Sequence, residues 1–143
     1  MKLFSFIAFL VIVTSSFSQE AINKNLPKIE FKVSVYDFGE IEYGSPGNYD
    51  FVFKNVGKGP LIIKSVKSSW GCTIPRKPKG PIKKRKKDKI SVHYNTKKVG
   101  AFNKTITVYS NASNAVERVQ IKGKVLPNKK KVKKEQINSN NKK

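Results

Sequence analysis

The sequence is short of the residues that most often build reactive or metal-binding sites. Its 143 residues include one cysteine, one histidine and one methionine. A lone cysteine cannot close a disulfide within the chain, and the lone histidine, His93, falls short of the three or four donors of a transition-metal site. We therefore expect a fold that needs no disulfide, no metal ion and no other cofactor.

Acidic side chains are also scarce, with nine Asp and Glu against 30 Lys and Arg and a formal net charge of +21. The carboxylates are scattered over strand and turn positions, so a pair for acid–base catalysis is hard to assemble. No local motif supports a Ser-His-Asp triad that would use His93, and no glycine-rich phosphate loop precedes a helix. The sequence predicts a protein that is not an enzyme.

The most apolar run, Leu3–Val13, follows Lys2 and is interrupted by one serine. It is shorter than the roughly 20 residues that cross a bilayer. Ser16 and Ser18 place small side chains at the two positions that a signal peptidase reads. We expect residues 1–18 to be a signal peptide cleaved after Ser18, and the mature chain to be periplasmic or extracellular and to contain no transmembrane segment.

From residue 29 onward, apolar and polar side chains alternate in short segments that end at Gly, Pro or Asn. This period of two indicates strands with one buried and one solvated face, and no segment has a convincing helical period. The pattern predicts an all-β fold, a single immunoglobulin-like antiparallel β-sandwich of about seven strands over residues 29–126. The buried faces are expected to include Ile29, Phe31, Val33, Val35, Tyr49, Phe51, Phe53, Ile90, Val92, Tyr94, Ile106, Val108, Val119 and Ile121.

The two segments that flank this domain have a different composition. Residues 19–28 are mostly polar and contain a proline, so we expect a linker there. Residues 127–143 consist largely of Lys and Asn. A segment with so little apolar surface to bury cannot offset its ordering entropy, and we expect a disordered basic tail.

Several sequence blocks, which cover almost the whole predicted domain in the expected order, resemble the bacterial domain-of-unknown-function 1573 family. They are Tyr36–Ile41 (YDFGEI), Phe51–Gly57 (FVFKNVG), Pro60–Ile63 (PLII), Gly71–Pro75 (GCTIP), Gly100–Val108 (GAFNKTITV) and Ile121–Val125 (IKGKV). Members of that family are exported, common in Bacteroidetes-type bacteria and similar in fold to Hydin-like immunoglobulin modules. The resemblance implies this architecture and compartment, and it brings no established activity.

The chain departs from the family pattern at two places. Members commonly have a Cys-Gly-Cys-Thr run, whereas this sequence has Trp70-Gly71-Cys72-Thr73, so Cys72 lacks a partner for a paired redox or metal role. Many members have a Pro-Gly turn before the next strand, whereas this sequence has the cationic run Lys83–Lys87. We expect the turn to be retained and to project a cluster of positive charges from the surface.

Two interpretations of Cys72 stay open. As a lone thiol in an exported protein it could react or pair with another chain, since the nearby cations Arg76 and Lys77 would favour the thiolate. Alternatively, it is a small apolar residue packed at a strand end beneath Trp70, because unpaired cysteine is among the most buried residue types.

Positive charge is concentrated in two clusters, which are the candidate polyanion-binding residues. The first comprises Arg76, Lys77, Lys79, Lys83, Lys84, Arg85, Lys86, Lys87 and Lys89, and the second comprises Lys129, Lys130, Lys131, Lys133 and Lys134 in the tail. Charge of this density attracts phosphate or carboxylate polymers in a salt-sensitive way. Aromatic residues do not interleave with either cluster, which argues against base stacking. Lysine dominates arginine, which argues against bidentate reading of phosphates or bases. The alternative is that both clusters are solvated surface without a ligand.

Two functions stay open at this point. The first is an exported, non-enzymatic immunoglobulin-like module that binds or scaffolds other components of the bacterial cell envelope through its edge strands and loops. The alternative is a dedicated binder of anionic envelope polymers, namely lipopolysaccharide, acidic glycan or extracellular DNA, through the loop that contains the first cluster and through the basic tail. The partner is then an envelope protein or an anionic polymer, and the charge alone also permits non-specific binding of nucleic acid.

Overall fold

The computed structural model describes residues 25–69 and 76–141 of the chain. The predicted signal peptide, with its cleavage site at Ser18, lies outside the described residues. So do residues 70–75, which include Trp70 and Cys72. Both interpretations of the thiol therefore remain predictions.

Seven strands form two sheets that pack face to face, which confirms the predicted β-sandwich. The sheet orders are β1-β3-β5 and β2-β7-β6-β4. The elements are β1 (Ile29–Phe31), β2 (Val35–Ile41), β3 (Asn48–Asn55), β4 (Ile63–Ser68), β5 (Lys87–His93), β6 (Gly100–Ser110), β7 (Val116–Val125) and the helix α1 (Lys129–Asn140).

One strand pair differs from the expected antiparallel arrangement. β2 lies parallel to β7, with Val35 opposite Gln120 and Ile41 opposite Val125. The sequence suggested one continuous strand from residue 29 to residue 35, but the chain leaves the first sheet after β1 and crosses to the second sheet at residues 32–34. After this crossing, β2 runs in the same direction as the last strand.

The crossing also changes which side chains face the interior. Val35 is 45% exposed, whereas Tyr36 and Phe38 pack against the core. The prediction that Ile29 and Phe31 face inward is correct, because both contact the core. The prediction for Val35 is wrong, because alternation within one strand does not continue through a change of sheet.

In the later strands the predicted alternation is confirmed. The buried residues there include Phe51, Phe53, Ile90, Val92, Tyr94, Ile106, Val108, Val119 and Ile121. Two stacked aromatic pairs join the sheets: the ring centroids of Tyr36 and Tyr49 are 3.6 Å apart, and those of Tyr94 and Phe102 are 3.8 Å apart. Each large apolar side chain buried in this way contributes about 1.5–3 kcal/mol.

The fully buried side chain of Asn55, at the end of β3, ties three segments together. Its Oδ1 accepts hydrogen bonds from the backbone N–H of Lys28 at 3.3 Å and of Gly57 at 3.1 Å. Its Nδ2 donates to the carbonyl of Gly59 at 2.8 Å and to that of Ile82 at 3.0 Å. A primary amide can make two bonds of each kind through these atoms, so all of its capacity is used.

The chain before β1 is held close to the β3–β4 turn. A Cβ atom built on Gly57 would lie 2.3 Å from the backbone N of Lys28, so only glycine permits this approach. Pro27 is buried in the same contact. Residues 25–28 therefore differ from the predicted linker over residues 19–28, because backbone hydrogen bonds and close packing attach them to the sandwich.

A bulge in β2 accounts for the Asp-Phe-Gly part of the sequence. The register against β7 shifts between Asp37 and Glu40, and Gly39 between them has φ +63°. The Asp37 Oδ1 accepts a hydrogen bond from the Gly39 N–H at 2.8 Å. A Cβ on Gly123 of β7 would lie 3.0 Å from the Gly39 carbonyl and 2.9 Å from the Phe102 ring, which explains the second glycine.

The tail differs from the prediction of disorder, since residues 129–140 form α1. The Asn128 side chain accepts a hydrogen bond from the Lys130 N–H at 3.1 Å, which is an N-cap. Lysine also has a favourable helix propensity. The composition argument considered only what the tail can bury, and no residue of α1 is buried. No helix in the described part of the chain is long and apolar enough to cross a membrane.

Replacing Asn55 with Ala should lower the free energy of unfolding by about 3 kcal/mol, because several buried backbone groups lose their partner. Urea unfolding followed by circular dichroism measures the change. The control is Asn103→Ala at an exposed strand position, for which we expect a change within about 0.5 kcal/mol. Equal stability of the two variants would contradict the role given to Asn55.

Candidate functional site

The cationic run Lys83–Lys87, which we call the basic loop, forms a tight turn before β5. The Lys86 N–H donates to the Lys83 carbonyl at 3.1 Å and closes the turn. The Arg85 N–H donates to the Asn55 carbonyl at 2.8 Å, and the Asn55 N–H donates to the Lys86 carbonyl at 3.0 Å. The backbone of the basic loop is therefore fixed on the end of β3, while all its side chains are exposed.

The fold adds three lysines that sequence reasoning missed. Lys54 lies directly opposite Lys87 in the β3–β5 pair. The Lys28 carbonyl accepts the Val56 N–H at 2.8 Å, and the N–H of Lys58 in the β3–β4 turn is bonded to the same N-terminal segment, so both lysines lie beside Asn55. We call the basic loop together with Lys28, Lys54 and Lys58 the basic end of the sandwich. Only the strand register and the Asn55 contacts bring these residues together.

The cations of the basic end are not neutralised within the described ranges. The ion pairs found there join Lys89 to Asp50, Lys122 to Asp37, Lys124 to Glu40 and Lys129 to Glu42. None of them includes a residue of the basic end. Lys54 lies between Glu30 of β1 and Lys87 of β5 in the sheet, so it faces one opposite charge and one like charge.

Two other residues of the first predicted cluster serve the fold. The backbone of Arg76 pairs with Ser91 of β5, with N–O distances of 2.6 and 3.2 Å. The Lys77 Nζ donates to the carbonyls of Ile63 at 3.1 Å and Lys64 at 2.7 Å in β4. The structure thus separates these residues from the basic loop, and Lys79 is exposed on the segment that connects them.

A polar cleft lies on the outer face of the β3–β5 pair. It has a volume of about 540 Å³ and is lined by Asn48, Asp50, Arg76, Ser91, Val92 and His93. The His93 Nδ1 lies 2.7 Å from the Asn48 Oδ1, and the Lys89 Nζ lies 2.7 Å from the Asp50 Oδ2. Hydrogen bonds from Lys89 and then Ser91 lower the pKa of Asp50, and Asp50 raises the pKa of Lys89.

This cleft does not assemble a recognisable catalytic group. Its carboxylate is paired with Lys89, and its histidine is paired with an amide rather than with an acid or a nucleophile. Within residues 25–69 and 76–141, no three His, Cys, Asp or Glu side chains lie close enough together to hold a metal ion. The cleft contains polar groups for binding, but no acid–base pair.

The second predicted cluster lies at the opposite end of the sandwich. The Leu126 N–H donates to the Ile41 carbonyl, and the Lys129 Nζ of α1 lies 2.5 Å from the Glu42 Oε1, so α1 begins beside the β2–β3 loop. The β2–β3 loop leads into the first residue of β3, Asn48, whereas the basic loop is bonded to the last residue of β3, Asn55. A strand of this length spans about 25 Å, so the two clusters form separate surfaces. The remaining tail cations Lys130, Lys131, Lys133 and Lys134 are exposed on α1.

The two sheets define an immunoglobulin-like or PapD-like β-sandwich. Residues 29–125 match the family described as "Protein of unknown function (DUF1573)", and the chain belongs to that family. A comparison with curated proteins gives no match.

Solved structures share the architecture. A protein of unknown function from Porphyromonas gingivalis W83 is 17% identical with a TM-score of 0.64, over 75% of this chain and 51% of that chain. This chain therefore spans about half the length of that protein. The PapD-like domain 7 of human CEP192 is 12% identical with a TM-score of 0.60, over 73% of this chain and 89% of that domain. At these identities the likeness shows the fold alone.

The residues that carry the family resemblance mostly build the fold. Asp37 and Gly39 form the bulge, Asn55 and Gly57 hold the N-terminal segment, and Gly123 admits the Phe102 ring. Membership of the family therefore identifies the architecture. The function has to be argued from the exposed side chains, among which the basic end is the most distinctive feature.

We expect the pKa of the Asp50 carboxyl to lie below that of an ordinary aspartate, because the ionised form receives hydrogen bonds from Lys89 and Ser91. A pKa lowered by folding adds stability above the ordinary aspartate pKa, and this contribution is lost as the pH falls through the folded-state value. Lys89→Gln should raise the pKa of Asp50 in a carboxyl-carbon NMR titration. The matched control Lys122→Gln, which acts on Asp37, should leave Asp50 unchanged; an equal response to both variants would contradict the pairing.

Proposed function

We propose that this chain is a non-enzymatic binding module of the bacterial cell envelope, and that its basic end binds an anionic polymer. The observation that carries the proposal is the distribution of ion pairs. The ion pairs of the described ranges join cations elsewhere, and Glu30, which lies opposite Lys54 in the β1–β3 pair, offsets only a small part of the charge of the basic end. Such a surface attracts polyanions through long-range Coulomb forces that salt screens.

The arrangement of the basic end favours a ligand over simple solvation. Lys54 and Lys87 occupy directly opposite positions, and their mutual repulsion works against the attraction between Lys54 and Glu30 on the other side. An anionic ligand would remove this repulsion on binding.

The edge strands offer less support for the scaffolding alternative. β2 carries a bulge at Gly39 and charges at Asp37 and Glu40, which are devices that discourage pairing with another strand. The edge of β5 is bridged by Arg76, and Lys77 donates to carbonyls of β4. We therefore place the binding surface at the basic end rather than at an open strand edge.

The chemistry of the basic end narrows the ligand class. Its side chains are lysines and one arginine, with no aromatic ring among them, so base stacking does not contribute. Envelope polymers that carry repeated anionic groups fit this surface, and lipopolysaccharide and acidic glycans are the first candidates. Export itself rests on the N-terminal sequence pattern, which precedes the described residues.

The test replaces Lys83, Lys84, Arg85, Lys86 and Lys87 with Ser and measures retention on lipopolysaccharide and heparin columns in moderate salt. We expect binding to weaken by about 10-fold or more, because several charge contacts are lost together. Circular dichroism should be unchanged, since the loop is held by backbone hydrogen bonds.

The charge-matched control replaces Lys129, Lys130, Lys131, Lys133 and Lys134 with Ser at the opposite end. Loss of retention in the loop variant alone supports the basic end as the binding surface. Equal loss in both variants would mean that only the overall charge matters. Unchanged retention of a folded loop variant would overturn the proposal.

A further inference from the structure

Arg85 has a backbone conformation that is unusual for its residue type. Its φ is +64°, and it is the one non-glycine residue with positive φ in the described ranges. The left-handed region is unfavourable for a residue with a Cβ atom, and glycine is its usual occupant. The strain lies at the third position of the turn that forms the basic loop.

The turn requires this conformation whichever residue occupies the position. The Lys86 N–H to Lys83 carbonyl bond closes the turn, and the Arg85 N–H to Asn55 carbonyl bond attaches it to β3. Both bonds use backbone atoms, so glycine would make them with less strain. The structure therefore gives no reason of its own for an arginine here.

The Arg85 side chain is also not used inside the described fold. It is exposed, and the ion pairs of residues 25–69 and 76–141 do not include it. Its sequence neighbours Lys83, Lys84, Lys86 and Lys87 all repel it. Strained residues cluster at functional sites, where the strain is retained for the sake of the site.

We propose that Arg85 is the specificity-determining residue of the basic end, and that its guanidinium binds phosphate groups of the anionic polymer. This inference rests on the proposed function. A guanidinium presents parallel N–H groups that match two oxygens of one anion, whereas a lysine ammonium acts as a point charge. The dominance of lysine argues against bidentate binding by the cluster as a whole, but Arg85 is the one side chain of the basic loop that has this geometry.

The surrounding lysines favour phosphate over carboxylate as the anion. A carboxylate has two oxygens, and the guanidinium fork occupies both of them. A phosphate monoester has a third terminal oxygen and carries about −1.5 to −2 charges at neutral pH. That remaining oxygen and charge are available to Lys84 and Lys86 on either side of Arg85.

The experiment compares equilibrium binding of the purified protein to phosphorylated cellulose and to carboxymethylcellulose of equal charge density. We expect the wild type to bind the phosphorylated polymer about 10-fold more tightly, because the third phosphate oxygen can accept one further charge-assisted hydrogen bond from a lysine beside Arg85. Arg85→Gly should lose this preference, while its melting temperature rises by about 3 °C because the backbone strain is relieved.

Two further variants separate geometry from charge. Arg85→Lys keeps the charge and the backbone strain, and it should lose the phosphate preference with an unchanged melting temperature. Lys58→Ser removes one positive charge of the basic end, as Arg85→Gly does, at a residue that does not flank Arg85. It should weaken binding to both polymers by about 3-fold and keep the preference.

The outcomes distinguish this inference from the proposed function. A wild type that binds both polymers equally would overturn the role of Arg85 and leave the basic end as a general polyanion surface. Identical binding by Arg85→Gly and Lys58→Ser, or a lower melting temperature of Arg85→Gly, would also overturn it. A wild type that binds neither polymer would overturn the inference and the proposed function together.

Discussion

The buried amide of Asn55 is the interaction on which the arrangement of this molecule depends. It is fully buried at the end of β3 and bonded to the N-terminal segment through Lys28, to the β3–β4 turn through Gly57 and Gly59, and to the β4–β5 connection through Ile82. Because each partner is a backbone group, the amide fixes where three chain segments run and leaves their side chains unconstrained. The cations of the basic end are close together because their backbones meet around Asn55: Lys28 is bonded to its amide side chain, and Arg85 and Lys86 are bonded to its main-chain carbonyl and N–H.

The alternation of apolar and polar residues predicted most of the sandwich. Burial of one face of a sheet imposes this pattern within each strand, so it can be read from a short segment of sequence. Phe51 and Phe53, or Ile106 and Val108, are assigned correctly by this rule. The rule fails at Val35, where the chain passes from one sheet to the other, since a period within a segment contains no information about such a crossing. The parallel pairing of β2 with β7 is missed for the same reason, as it depends on contacts between the two ends of the domain.

The candidate site was predictable only where its residues are adjacent in sequence. The run Lys83–Lys87 is visible directly, but Lys28, Lys54 and Lys58 join it through strand register and hydrogen bonds to Asn55 or its neighbours. Conversely, Lys89 follows the run in sequence and yet forms an ion pair with Asp50. A cluster defined by closeness in sequence therefore includes Lys89, which is paired elsewhere, and omits three lysines that the fold brings to the basic end.

The basic loop separates what the fold requires from what it leaves open. The fold requires the path of the backbone, which is fixed by the N–H of Arg85 and by the N–H and carbonyl of Asn55 and Lys86. It does not require any side chain between Lys83 and Lys87, and at Arg85 it would be better served by glycine. A residue type that the fold does not need, at a position where it is unfavourable, has its explanation outside the fold. The sandwich itself is shared by proteins with different roles, so the fold does not settle the function, and our proposal for it rests on the surface that the chain presents at this end.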